Sequence, residues 1–154
     1  MLKGLDPLLN AEVLHALRAM GHGDDLIICD TNFPADSVAS QTVLGHLLRI
    51  DAPAARVARA VLSVYPLDTF VTDAAARMEV IGKPDEVLAV QIEVQDEVDA
   101  AEGHHWKLVG IERYAFYERA KQAYAVIQTA ERRFYGCFAF RKGVIGPDIG
   151  SWGA

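Results

Sequence analysis

The sequence predicts an α/β fold: a three-layer domain with a mixed central sheet of about six strands flanked by helices. Two observations carry this. Short apolar runs bounded by turn residues alternate with segments whose apolar residues recur at helical spacing. The resulting order, α-β-β-α-β-α-β-α-β-β, interleaves strands with helices that must cover a sheet. The chain's 154 residues, 51% apolar and 23% charged, suit a single domain spanning 1–154. A chain of that length buries about 68–70% of its unfolded surface, enough for a core without metal or disulfide staples.

Element by element, Asp6-Pro7 reads as an N-cap followed by proline at the first helical position. Leu9, Val13, Leu17 and Met20 then recur at helical spacing, and Gly21 stops the helix. Leu26-Ile27-Ile28-Cys29 is a buried strand ending at Asp30, and a second strand is expected within Thr42–Ile50. Asp51 caps a helix with Pro53 in its first turn, with Val57, Val61 and Val64 on its inner side and Pro66 at its end. Ala75–Ile81 has strand character, and Gly82-Lys83-Pro84 turns into an acidic amphipathic helix, Asp85–Ala101, closed by Gly103. Leu108–Ile111 reads as a strand, Tyr114–Gln122 as a helix, and Ala123–Gln128 and Cys137–Phe140 as two last strands.

Charge and composition exclude several classes. Asp and Glu number 21 against 15 Lys and Arg, a net charge of −6, which opposes non-specific nucleic-acid binding because that binding draws on neutralised phosphates. The longest unbroken apolar run, Ala123–Ile127, is five residues, where a membrane span needs about 20. The start meets Asp6 and Pro7 where a signal peptide needs an apolar stretch, so the protein is expected in the cytoplasm. Cys29 and Cys137 lie in or beside apolar segments and read as small buried hydrophobes, not as a disulfide framework.

Three segments offer chemistry. In Gly21-His22-Gly23-Asp24-Asp25 a histidine sits between glycines that let backbone and ligand approach closely. Asp30 lies at the carboxyl end of the following strand, where open α/β sheets collect ligands. An imidazole exchanges protons near neutral pH, and a nearby carboxylate can fix its tautomer or hold a hydroxyl. From spacing alone, a turn histidine and a loop-capping aspartate are the plainer reading. The second segment, Arg113-Tyr114-Ala115-Phe116-Tyr117-Glu118-Arg119-Ala120, lies at a strand-to-helix junction. Arg113 could fork onto vicinal hydroxyls, while Tyr114, Phe116 and Tyr117 read as packing and Glu118 with Arg119 as a solvated face. In the third, Phe134-Tyr135-Gly136-Cys137, Tyr135 can offer its ring and hydroxyl to a sugar, or simply anchor a turn. His104-His105 lacks further ligands at metal spacing. No phosphate loop or G-x-S-x-G is present, so no cofactor or metal is expected.

Taken together, these segments resemble the family of ribose pyranases and fucose mutarotases, and the fucose branch more closely. The stretches are Met1-Leu2-Lys3, Pro7-Leu8-Leu9, Met20-Gly21-His22-Gly23-Asp24, Asp30 with Phe33-Pro34-Ala35, Arg113 to Ala120, Tyr135-Gly136, and Arg141-Lys142-Gly143-Val144. They span nearly the whole chain, although Thr42–Gly103 matches only in outline. The resemblance implies an isomerase that interconverts ring forms of a free monosaccharide without cofactor or metal. It also implies a ring-shaped homo-oligomer, often a decamer of two stacked pentamers, with sites near subunit contacts. Carried over, His22 matches the family's acid/base histidine and Asp30 its sugar-binding aspartate. Arg113 matches a substrate-binding position that is histidine in the ribose branch. Tyr135-Gly136-Cys137 matches a substrate-binding Tyr-Gly-Asn segment, so Cys137 departs from the pattern.

Overall fold

The computed structural model describes residues 1–103 and 106–147; His104-His105 lies outside them. Its elements run α1 (Ala11–Ala19), β1 (Asp25–Cys29), α2 (Ala35–Ala39), β2 (Leu48–Arg49), α3 (Ala54–Leu62), β3 (Ala75–Met78), α4 (Ala89–Glu102), β4 (Val109–Ile111), α5 (Arg113–Lys121), β5 (Ala125–Gln128) and β6 (Phe138–Arg141). The strands form one mixed sheet in the order β2-β5-β1-β6-β3-β4. β6 is antiparallel to both β1 and β3, whereas β1/β5, β2/β5 and β3/β4 pair in parallel. Among the described residues no helix is long and apolar enough to cross a membrane.

The period-two alternation of strand side chains divides the core into two halves. Leu26 and Ile28 of β1, Ile127 of β5, and Phe138 and Phe140 of β6 meet Val13, Leu17, Val57, Val61, Val94 and Val98 from α1, α3 and α4. Ile27, Cys29, Val126, Ala139 and Met78 point to the opposite face and meet Val38, Phe116 and Ala120 from α2 and α5. These are the three expected layers. The buried face of α1 is as expected, but its start is not. Asn10 is the N-cap, its side chain accepting from Val13 N–H at 3.0 Å, whereas Asp6 closes a separate turn before the helix, accepting from Leu8 N–H at 3.0 Å and from Arg56 at 2.7 and 3.0 Å.

Other expectations are corrected. The strand sought within Thr42–Ile50 shrinks to Leu48–Arg49, an edge strand paired with β5. The Asp51 cap gives way to Pro53, and Val64 lies beyond the end of α3, 37% exposed. α4 begins at Ala89, after the turn at Gly82-Lys83-Pro84 and a further short stretch. The short helix α2 escaped the sequence reading altogether.

Arg119 also departs from expectation: its side chain leaves the solvated face and joins a buried cluster. Asp25 accepts from Arg119 Nε and Nη2 at 2.9 and 3.0 Å and from Arg141 Nε and Nη2 at 3.1 Å each. Burial pushes the Asp25 carboxyl up, but the bonds from Arg119 and then Arg141 outweigh it, leaving it below the usual carboxylate range. Asp25→Asn is therefore expected to cost about 3–5 kcal/mol, since it leaves two clustered guanidiniums short of their counter-charge. Chemical denaturation measures this. A carboxyl lowered on folding stabilises above its unfolded pKa and loses that contribution as pH falls through the lower folded value. The variant lacks that part of the acid dependence.

Candidate active site

One pole of the site lies at the carboxyl ends of β1, β3 and β4. Asp30 follows β1 and is buried. Its Oδ1 accepts from the backbone N–H of Asn32 and of Phe33, each at 2.9 Å. Its Oδ2 accepts from Gly136 N–H at 3.1 Å and from the Cys137 thiol at 3.5 Å. A carboxylate offers about four lone-pair sites, so these donors fill them, and the thiol is the weakest of the four. Burial first, and then the charge of Asp30, push the Cys137 thiol up, which keeps it protonated and donating.

Gly136 is required by close approach: a Cβ there would lie 2.9 Å from Glu131 Cγ and 3.4 Å from Asp30 Cβ. Tyr135, just before it, has φ 60°, a left-handed conformation uncommon outside glycine and enriched at functional sites. Its carbonyl accepts from Gln91 Nε2 at 3.2 Å and its hydroxyl from Ile81 N–H at 3.3 Å. Both contacts hold the strained turn in place.

Arg113 opens α5, whose first turn is capped by Glu112 accepting from Tyr114 and Ala115 N–H at 2.9 and 3.0 Å. Arg113 Nε donates to the Tyr117 hydroxyl at 3.0 Å, and its guanidinium lies 5.5 Å from the Tyr117 ring centroid. That hydrogen bond holds the guanidinium above its ordinary pKa. Among the described residues no acceptor meets its two terminal nitrogens.

Asp30, Arg113, Tyr135 and Cys137 line a cavity of about 190 Å³ together with Asn32, Phe33, Met78, Tyr117 and Phe134. Drug-sized ligands occupy roughly 300–1,000 Å³, so this cavity suits something smaller. Its lining mixes polar groups with the apolar side chains of Phe33, Met78 and Phe134. Gly136 acts through the N–H it gives Asp30. Of the three aromatics read as packing, Phe116 is buried, Tyr117 lines the cavity, and Tyr114 is exposed. The i, i+4 spacing of Arg113 and Tyr117 was the signal for their pairing.

His22 is at the other pole. Its loop is shaped by Gly21 N–H donating to Asp24 Oδ2 at 2.7 Å and by Gly23, at φ 88°, donating to Lys142 O at 2.9 Å. The imidazole Nε2 lies 3.2 Å from Asp68 Oδ1, and the ring meets Phe70 edge-on at 5.6 Å. Asp68 Oδ1 also accepts from Phe70 N–H at 3.0 Å. That bond, followed by the one from His22, outweighs burial and holds the Asp68 carboxyl below its usual range.

The structure does not bring His22 to Asp30 within one chain. β1 rises about 3.3 Å per residue and holds its two ends roughly 13 Å apart, with His22 before one end and Asp30 after the other. The carboxylate beside the imidazole is Asp68, which sequence reasoning missed. Asn32, Phe33, Met78 and Phe134 were also missed as cavity walls. Among the described residues no group of three or more His, Cys, Asp or Glu could hold a metal ion.

The geometry defines a three-layer α/β protein with a small-molecule pocket at the carboxyl ends of its parallel strands. Residues 3–145 match the RbsD / FucU transport protein family, and the chain belongs to it. It is 40% identical over 148 residues to the fucose mutarotase of Homo sapiens, covering 94% of each chain. Among solved structures it is similar to protein Atu2016, with 63% identity, a TM-score of 0.92 and coverage of 95% of this chain and 97% of that one. It is also similar to the fucose mutarotase of Streptococcus pneumoniae in complex with L-fucose, with 27% identity, a TM-score of 0.83 and coverage of 94% and 100%.

Proposed function

We propose that this protein is an isomerase, a mutarotase that interconverts the α and β anomers of a free, fucose-like monosaccharide. The observation that carries this reading is the small half-polar cavity holding the Asp30 carboxylate and the free guanidinium nitrogens of Arg113. The names of its relatives support it. A sugar seats its hydroxyls on Arg113 and on Asp30, where an O–H replaces the weak thiol donor of Cys137. The apolar part of the lining, Phe33, Met78 and Phe134, offers contact to the C–H groups of the ring. A neutral ligand meets no penalty from a protein of net charge −6.

The reaction needs only positioned proton transfer. The anomeric hydroxyl gives its proton to the His22 imidazole as the bond between the anomeric carbon and the ring oxygen breaks. The ring oxygen takes up a proton from water, and the imidazolium returns its own to water, leaving an open-chain aldehyde with no net change in protons. Rotation about one carbon–carbon bond turns the other carbonyl face inward, and closure reverses the proton movements. Proton transfer of this kind is worth about 10²–10⁴-fold.

Because β1 separates His22 from the cavity of its own chain, the site is completed by His22 of a neighbouring subunit. Such a head-to-tail contact closes into a ring when its rotation closes, and the resemblance implies a decamer of two such rings. Exposed aromatics at both poles support the contact: Phe70 beside His22, and Phe134 with Tyr114 near the cavity. Light scattering is expected to give a mass many times that of the chain; a monomer mass removes the shared site.

Pyranose–furanose interconversion of ribose uses the same ring opening, but Arg113 in place of the ribose branch's histidine favours a fucose-like sugar. Magnetisation exchange between anomers in proton NMR tests the proposal across fucose, ribose and galactose. Faster exchange than a buffer control is expected for fucose above the others. Sugar binding by calorimetry without faster exchange assigns a non-catalytic sugar binder instead.

A further inference from the structure

We propose that Asp68 is the positioning residue for His22, fixing the proton on Nε2 and leaving Nδ1 as the nitrogen that exchanges protons with the sugar; this rests on the mutarotase reading above. An ionised carboxylate only accepts hydrogen bonds. With Asp68 Oδ1 at 3.2 Å from Nε2, that nitrogen carries a hydrogen and the lone pair resides on Nδ1. As Nδ1 gains the sugar's proton, the ring becomes an imidazolium, and the adjacent carboxylate stabilises the charge that forms.

The exposure of the two partners argues for a role beyond stability. The Asp68 side chain is 3% exposed and that of His22 is 46% exposed. A structural ion pair would gain little from an imidazole left half in water, whereas a proton shuttle needs one edge held and the other free. The Phe70 ring meets the imidazole edge-on, a second contact beside the one to Asp68.

The segment carrying Asp68 is itself locked to the end of β6. Asp68 N–H donates to Arg141 O at 3.0 Å, and Gly143 N–H donates to Pro66 O at 2.8 Å. A Cβ at Gly143 would lie 2.5 Å from Leu67 O and 2.9 Å from Asp68 Cα, so only glycine lets these strands of backbone meet. Lys142 Nζ, from the same stretch, donates to Leu17 O and Met20 O at the end of α1. The loop before His22 and the loop bearing Asp68 are thereby fastened to one support. Neither Asp68 nor Gly143 needs to touch the sugar for this.

Asp68→Asn separates the two roles. The amide oxygen still accepts from Phe70 N–H, so the turn persists, but the charge beside Nε2 is gone. The saturating exchange rate is expected to fall about ten- to a hundredfold, part of the roughly 10²–10⁴ available to positioned proton transfer, with the KM for fucose unchanged. The ¹⁵N spectrum of the wild-type protein is expected to show His22 protonated at Nε2, its signals assigned by their loss in His22→Gln, and Asp68→Asn to shift that tautomer. A wild-type ring protonated at Nδ1 alone overturns the inference whether or not the variant folds. A full rate in Asp68→Asn beside a lost rate in His22→Gln, or a raised KM at unchanged rate, overturns it and leaves the mutarotase reading intact. Full rates in both variants overturn the catalytic role of His22, and the inference with it.

Discussion

His22→Gln is expected to remove most of the acceleration of anomer exchange, about 10²–10⁴-fold, while the fold and the assembly persist. Glutamine can still reach Asp68 with an amide N–H, but it cannot take up and return a proton near neutral pH. The loop does not depend on the imidazole for its shape. The bonds that form it run from Gly21 to Asp24 and from Gly23 to Lys142. A half-exposed ring outside the core is worth little to stability, within about 0.5 kcal/mol for a surface position. Proton NMR exchange and a thermal melt on the same sample check both halves. A wild-type rate in this variant assigns the proton transfer to another group.

What the sequence made legible was whatever depends on neighbours along the chain. Leu26 to Cys29 read as a strand because four apolar residues stand between acids, and β1 occupies that stretch. The inner face of α1 was readable because Val13 and Leu17 are one turn apart, and both are buried. Helix ends were harder, since they are decided by competition. Asp6 and Asn10 both accept from a backbone N–H just beyond them, Leu8 and Val13, and only the second of these turns continues as α1. β2 is a two-residue edge strand beside β5, too short for an alternation to show, and α2, five residues long, has too few turns for a period to show. Arg119 carries no local mark of burial; its partner, Asp25, is 94 positions away.

The candidate site divides along the same line. Arg113 and Tyr117 sit one helical turn apart, a spacing that permits their pairing, although Tyr117 read as packing and only the structure shows the bond. Asp30 was recognisable by its place after a strand, and Tyr135-Gly136 by the turn that glycine permits. Asp68 had no such signal. It lies in an irregular segment beyond α3, and long-range backbone contacts across the end of the sheet, Leu67 with Lys142 and Asp68 N–H to Arg141 O among them, bring it to His22. The resemblance, not the spacing, gave His22 and Asp30 a shared task; by spacing they read as a turn histidine and a loop-capping aspartate at the two ends of one strand. The strand between them settles that they leave opposite ends.

That separation gives the sharpest expectation about the assembly. His22→Gln and Arg113→Ala are each expected to be nearly inactive alone, one lacking the proton shuttle and the other the guanidinium that holds the sugar. Arg113 is a suitable partner for the experiment because its bonds are to Tyr117 alone among the described residues, so its loss leaves the core untouched. When the two variants are co-assembled in equal amounts, a subunit with intact His22 meets a cavity with intact Arg113 at about a quarter of head-to-tail contacts, by random mixing around a ring. Exchange activity is therefore expected to return to about a quarter of the wild-type value per subunit, although neither chain carries both groups. If each chain instead formed its site alone, every site in the mixture would hold one defect and no activity would return. The rise from near zero needs a histidine from one chain and a cavity from the next.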